Sequence, residues 1–234
     1  MNRLSELTLI LKKTLNWNKA RLTCFTQMLM ALFAVRTVNL RVLAVACVGT
    51  ADIDSKYKRL KRFFSTFQID RTVIARWLFS LFFSDTDKLY LTIDRTNWFW
   101  GKAKINIFTL GIAYEGVAIP LLWTCLNKAG NASAEEHQAL IQQFIMLFGK
   151  KNIAGVLGDR EFGSSDFFRW LNENGIPFYI RIKEDSIVRL NNRKVFKVKH
   201  IFRAIRPKQH QAFPLQVAIF GQSVYVAGSR SNSH

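Results

Sequence analysis

Two aspartates stand where this sequence could do chemistry. Asp94 closes the apolar, β-rich run Leu89–Ile93 and is followed by Arg95-Thr96-Asn97-Trp98. Asp159 comes after a second apolar run, Ile153–Leu157 and Gly158, and leads into Arg160-Glu161-Phe162-Gly163. Burying an unpaired carboxylate is costly, so an acid placed directly after an apolar strand calls for a reason. The plain reason is that each caps the turn or helix that follows. The chemical reason needs the two strands to be neighbours, about 4.8 Å apart. Their carboxylates could then share a pair of divalent cations about 3.5–4 Å apart. Glu161 could point the same way as Asp159 if the backbone stays extended through it. Glu184 and Asp185 read as solvated surface.

The elements that must position these acids follow from periodicity. After Leu89–Ile93, the runs Ile105–Ala113 and Val117–Thr124 read as strands joined by a hairpin at Tyr114-Glu115-Gly116. Beyond the loop Lys128-Ala129-Gly130-Asn131, Ser133 and Glu136 form a capping-box signature. It opens a helix to about Phe148 that turns Leu140, Phe144 and Leu147 to the core. Ile153–Leu157 is a fourth strand. A helix from Ser165 to Asn174 stops at Gly175, and Phe178–Ile182 is a fifth strand. The order β-β-β-α-β-α-β makes a mixed sheet in which the fourth strand can lie beside the first.

The flanks differ in character. Residues 1–84 read as helical: Leu4, Leu7 and Leu11 recur at helical spacing, and Leu22–Leu43 is long, apolar and free of proline. In Lys56–Phe67, the residues Tyr57, Leu60, Phe64 and Phe67, joined by Phe63, share one helical face. Lys58, Arg59, Lys61 and Arg62 cover the other. From Lys183 onward the chain is basic and β-rich. Asn191-Asn192 suggests a turn, and Phe213–Ile219 with Val224–Ala227 suggests a hairpin about Gly221-Gln222.

Composition narrows the partners. The 234 residues hold 34 Lys+Arg against 16 Asp+Glu, a formal charge of +18. Residues 1–84 alone carry 14 basic and 4 acidic side chains, and residues 181–208 carry ten and two. Such a surplus suits a polyanion, because neutralising phosphates releases counterions irrespective of base sequence. An anionic membrane is the weaker candidate. Leu22–Val35 falls a turn or two short of the ~20 residues a span needs, and nothing at the amino end has the shape of a signal peptide. Three cysteines far apart argue against a disulfide framework and suit a reducing compartment. No Cys or His pair has zinc-ligand spacing.

The segments Leu91–Trp98, Leu157–Gly163 and Phe178–Lys183 resemble those of DDE transposases of bacterial insertion sequences. The likeness is to the cut-and-paste group with a β-rich insertion in a ribonuclease H-like domain. Ser55–Phe64 also resembles that group's amino-terminal region. The resemblance implies an α/β chain in three parts: a helical DNA-binding domain (1–84), the first five strands of a ribonuclease H-like catalytic core (85–183), and a basic β-rich insertion (184–234).

It implies DNA cleavage and strand transfer at transposon ends with two Mg²⁺ ions, Mn²⁺ substituting, held by Asp94 and Asp159 as the first two acids. Glu161 would have a supporting role. Lys58, Arg59, Lys61 and Arg62 would contact DNA phosphates first, and Arg193, Lys194, Lys197 and Lys199 next. Trp98, Phe99 and Trp100 could stack on a base, although sheet cover is the commoner fate of such a run. The implied partners are double-stranded DNA (terminal inverted repeats and target) and a second copy in an active homodimer, with no membrane, in the bacterial cytoplasm at the nucleoid. The family's third acid lies in a Tyr-x-x-Arg-x-x-x-Glu motif after the insertion. No such motif occurs in these 234 residues, so the resemblance implies a chain truncated before the third acid and the last catalytic helix, and the expectation is an incomplete transposase with impaired catalysis. The rival expectations are a non-catalytic binder of transposon ends, or a decayed gene product, or a general nuclease using Glu161.

Overall fold

In the computed structural model, residues 3–126, 132–190 and 194–231 are described. The chain divides into two compact units, Met1–Phe83 and Ser84–His234. The loop at Lys128–Asn131, the turn at Asn191-Asn192 and residue Arg193 lie outside the described residues.

The first unit is all helical: α1 Arg3–Thr14, α2 Lys19–Val35, α3 Leu40–Ala46, α4 Ile53–Thr66 and α5 Arg71–Phe82. The apolar run Leu22–Leu43 is not one helix. The chain turns by 97° between α2 and α3, without proline. Arg36 ends α2 in the left-handed region (φ 52°), and its N–H donates to the Leu32 carbonyl. Asn39 then starts α3 by accepting from the backbone N–H groups of Arg41 and Val42. Asparagine at an N-cap satisfies donors that a continuing helix would have paired itself. No single helix among the described residues is long and apolar enough to cross a membrane.

The stripe of α4 also differs from the sequence reading. Leu60 and Phe63 are buried, while Phe64 is 53% exposed, and Lys56 joins the buried side. Tyr57 and Phe67 are half-buried against the same core, which includes Cys24, Met28, Leu43 and Cys47. Burial raises the pKa of both buried thiols, and all three cysteines are free.

The second unit is built on a five-stranded sheet. Its strands are β1 Leu89–Trp100, β2 Ala103–Tyr114, β3 Val117–Cys125, β4 Ile153–Gly158 and β5 Phe178–Ile180, in the order β3-β2-β1-β4-β5. The first three are antiparallel neighbours, and β4 and β5 add in parallel through α6 (Ala134–Phe148) and α7 (Ser165–Glu173). These connections and this strand order make a ribonuclease H-like α/β fold. The β2–β3 turn falls at Glu115-Gly116, both at positive φ. The capping box at Ser133 and Glu136 is formed, with both reciprocal hydrogen bonds.

Alternation along β1 explains the layering. Leu89, Leu91 and Ile93 are buried on one face with Phe108, Leu110, Ile112 and Val156. Both α6 and α7 lie on that face. His137 of α6 packs its ring 5.1 Å from those of Phe108 and Phe167. The opposite face, carrying Tyr90 and Tyr179, is more open: the two are 43% and 59% exposed, with rings 6.0 Å apart.

The remaining elements of this unit are short. Strands β6 Ile187–Arg189, β7 Val195–Lys197, β9 Val217–Ile219 and β10 Gln222–Val224 form a sheet ordered β10-β9-β6-β7. A short helix, α8 Val198–Ile201, follows β7 directly, and β8 His210–Ala212 pairs with β11 Ala227–Ser229. The hairpin expected over Phe213–Ala227 is therefore shorter, with its turn at Phe220-Gly221. Phe213 lies outside it and donates its N–H to Val226. Val188, Val198, Val217, Ile219 and Val226 form a core of their own.

Candidate active site

Asp94 is not at the end of its strand, because β1 runs on to Trp100. What ends at Asp94 is the pairing with β4. The parallel register runs through Leu91↔Val156 and Thr92↔Leu157 to Ile93↔Gly158, and no further. Asp94, still within β1, and Asp159, the first residue after β4, are the residues that follow this last pair. Asp94 is exposed and stands on the face opposite Leu91 and Ile93. Asp159 is exposed as well, in extended backbone, and one of its oxygens accepts from the Arg160 N–H at 2.7 Å. The capping role that sequence allowed for Asp159 is thus real, and it coexists with a place beside Asp94.

Gly158 makes that strand end possible. A Cβ there would meet Ile180 Cδ1 at 2.8 Å, Ile93 Cγ1 at 3.1 Å and Phe162 Cδ2 at 3.2 Å. A side chain at 158 would require the Ile180, Ile93 and Phe162 side chains that meet there to shift.

Beyond Asp159 the backbone does not stay extended. Arg160–Phe162 form a 3-10 turn in which the Phe162 N–H donates to the Asp159 carbonyl. Glu161 therefore does not follow Asp159 along an extended strand. It accepts a 2.7 Å hydrogen bond from Arg95 Nη2 instead, with the two side chains 10% (Arg95) and 26% (Glu161) exposed. Arg95 directly follows Asp94, and Glu161 lies two residues past Asp159. The ion pair thus ties the two acid-bearing segments together from the side facing the core. Phe162 completes the anchor: it is buried, its ring 5.0 Å from His137 and 5.9 Å from Phe108.

Sequence reading did not assign Arg95 a role, though the signal was available. Leu89, Leu91, Ile93 and Arg95 follow in steps of two, so a strand that continues past Asp94 must turn Arg95 inward. A charge there needs a partner. Replacing Arg95 with alanine strands the Glu161 carboxylate in a partly buried place. Breaking a buried pair costs about 3–5 kcal/mol, and the residual exposure of Glu161 lowers this to roughly 2–3 kcal/mol. In a unit of this size that is a fall of about 4–12 °C in melting temperature, measurable by calorimetry. Replacing both partners with leucine and methionine should recover most of it.

The cationic positions separate into two groups. Lys58, Arg59, Lys61 and Arg62 are all exposed on α4. Arg59 also donates to the Gln27 side chain of α2. In the β-rich segment, Lys194 is exposed, and Lys197 and Lys199 both sit against Asp185, at 3.8 and 2.9 Å. Asp185 is solvated surface as expected, its side chain 60% exposed, and it is also paired. Its hydrogen bond from Lys199 holds its carboxyl below the usual range and raises the pKa of Lys199. Lys199 is on α8, so the alternating exposed strand expected here ends at Lys197. Trp98 and Phe99 are exposed near the β1–β2 turn, 41% and 69%, and do not form core.

Among the described residues, no group of three or more His, Cys, Asp and Glu side chains is placed to hold a metal ion. Two neighbouring carboxylates are still the hard oxygen donors that Mg²⁺ takes, and Mg²⁺ commonly binds through one or two carboxylates with water and substrate phosphate completing the shell. The donor set fits a divalent cation only in that partial sense.

No family model matches this sequence, and no curated protein matches it. Solved structures do. The catalytic core domain of HTLV-2 integrase in complex with magnesium, in its trimeric form, is 18% identical with a TM-score of 0.32, covering 41% of this chain and 60% of that one. The simian T-cell lymphotropic virus intasome in complex with PP2A regulatory subunit B56 gamma is 10% identical with a TM-score of 0.34, covering 59% and 46%. The large terminase of the thermophilic bacteriophage D6E is 22% identical with a TM-score of 0.28, covering 42% and 23%. The chain spans 60% or less of the length of each of these three. The strand order and connections, not these likenesses, define the fold: a ribonuclease H-like α/β unit with two acids at neighbouring strand positions.

Proposed function

We propose that this chain is a DDE-type transposase of a bacterial insertion sequence, acting on transposon-end DNA through Asp94 and Asp159. The observation that carries the reading is the β1–β4 register, whose last pair, Ile93 with Gly158, is followed on each chain segment by an aspartate. Asp94 and Asp159 would hold Mg²⁺ or Mn²⁺, with Glu161 supporting the site through Arg95. A metal held by Asp94 and Asp159 would serve to activate a water or the DNA's own 3′-hydroxyl and to neutralise charge on the scissile phosphate. The exposed cations of α4 supply sequence-independent grip on the duplex. Base specificity must come from other groups. The active form is proposed to be a homodimer on paired ends, in the bacterial cytoplasm.

A second reading is favoured by the lack of a third ligand among the described residues: a binder of transposon ends without cleavage. Nicking assays on duplexes with and without the element's terminal repeats, in Mn²⁺ and in chelator, separate the readings. Metal-dependent nicking confined to end-containing DNA is expected for the transposase. Salt-sensitive end binding with no nicking supports the binder. Cleavage without regard to end sequence would overturn both in favour of a general nuclease.

A further inference from the structure

Phe220 occupies a backbone position that its own side chain makes unfavourable. With Gly221 it forms the two-residue turn between β9 and β10, at φ values of 49° and 75°. Turns with both central residues at positive φ favour Asn-Gly or Gly-Gly, and a bulky aromatic residue there is an outlier. Such a conformation persists where the surroundings over-determine it.

The surroundings of Phe220 belong to the candidate site's own support. Its ring meets Phe168 of α7 edge-on, with centroids 5.5 Å apart and planes at 82°. It also lies over Gly163, where a Cβ would stand 3.2 Å from Phe220 Cε2. One residue past the turn, the Gln222 side chain accepts from Asn172 of α7 at 3.1 Å. Gly163 ends the short segment that Asp159 begins.

We infer that Phe220 is a positioning residue for Asp159: its ring, seated on Gly163 and Phe168, fixes the far end of the segment that carries the second carboxylate. That segment is then held at three points. Arg95 holds Glu161, the aromatic cluster around His137 holds Phe162, and the β9–β10 hairpin holds Gly163. The first two come from β1, β2, α6 and α7, whereas the third comes from the basic β-rich segment. The functional meaning rests on the role proposed for Asp159, but the mechanical link does not.

Hydrogen–deuterium exchange on the whole chain, without metal or DNA, tests it. Phe220→Gly removes the ring and relieves the turn of its backbone cost, so a purely local role for Phe220 predicts a hairpin at least as stable as before. The positioning role predicts that the Phe162 amide exchanges about tenfold faster while the Val156 amide, bonded to the Pro177 carbonyl in the sheet, keeps its rate. Gly163→Ala, whose methyl displaces the ring by a few tenths of an ångström, should speed Phe162 exchange in the same direction by a smaller factor, and Phe220→Tyr should retain the parent rate. An unchanged Phe162 rate in both Phe220→Gly and Gly163→Ala, or an equal rise at Val156, overturns the inference. If the transposase reading alone fails, nicking is absent while the exchange pattern still holds.

Discussion

Replacing Asp94 or Asp159 with asparagine is expected to weaken Mn²⁺ binding by at least ~100-fold. Loss of an outer-shell partner already costs about 10–100-fold in metal affinity, and a direct ligand costs no less. Asparagine keeps the size of aspartate, so β1 and the Asp159 turn should fold as before, although the N–H of Arg160 would be capped by an amide oxygen in place of a carboxylate. Any metal-dependent nicking should fall by about 10²–10³-fold, the range seen when one group stabilising developing charge is removed. Titration of Mn²⁺ by electron paramagnetic resonance reads the first effect without DNA. Equal Mn²⁺ affinity in the parent and both variants would remove the two aspartates from the site.

The second large effect is expected on α4. Each phosphate contact contributes about 0.9 to the slope of log affinity against log salt concentration on duplex DNA. Changing Lys58, Lys61 and Arg62 to glutamine should flatten that slope by about 2.7, which at 0.1 M salt, counted from a 1 M reference, is roughly a 500-fold loss. Arg59 is left intact in this variant because its guanidinium also ties α4 to Gln27 of α2. The buried Leu60 and Phe63 are untouched, so circular dichroism should be unchanged. By contrast, Lys197 and Lys199 share the charge of Asp185. Replacing both should flatten the slope by only about 0.9, because one carboxylate already offsets one of them. Fluorescence anisotropy across a salt series distinguishes the two surfaces. A triple variant with the parent slope would take α4 out of the DNA interface.

The order and type of the sheet elements were legible in the sequence because their causes are local. Alternating apolar residues marked β2, the capping box at Ser133 and Glu136 opened α6, and an apolar run before each aspartate marked β1 and β4. Strand order could be anticipated because parallel strands require the helical crossovers that the sequence displays. What tertiary structure decided lies where one segment's conformation depends on a distant one. β1 continues past Asp94 because β2 folds back on it through the tight turn at Gly101-Lys102 and pairs with it as far as Trp100, which the polar run Arg95-Thr96-Asn97 hides in the sequence. Strand alternation turns Arg95 inward, but its partner Glu161 is available there only because the chain leaves β4 in a 3-10 turn. The break between α2 and α3 needed a capping asparagine and a core that rewards the bend more than a continued helix. Phe220 takes a left-handed conformation that its residue type disfavours because Gly163 and Phe168 wait beneath its ring. Sequence patterns record what each residue and its near neighbours prefer, whereas the Arg95–Glu161 pair and the seat of Phe220 depend on contacts between residues far apart along the chain.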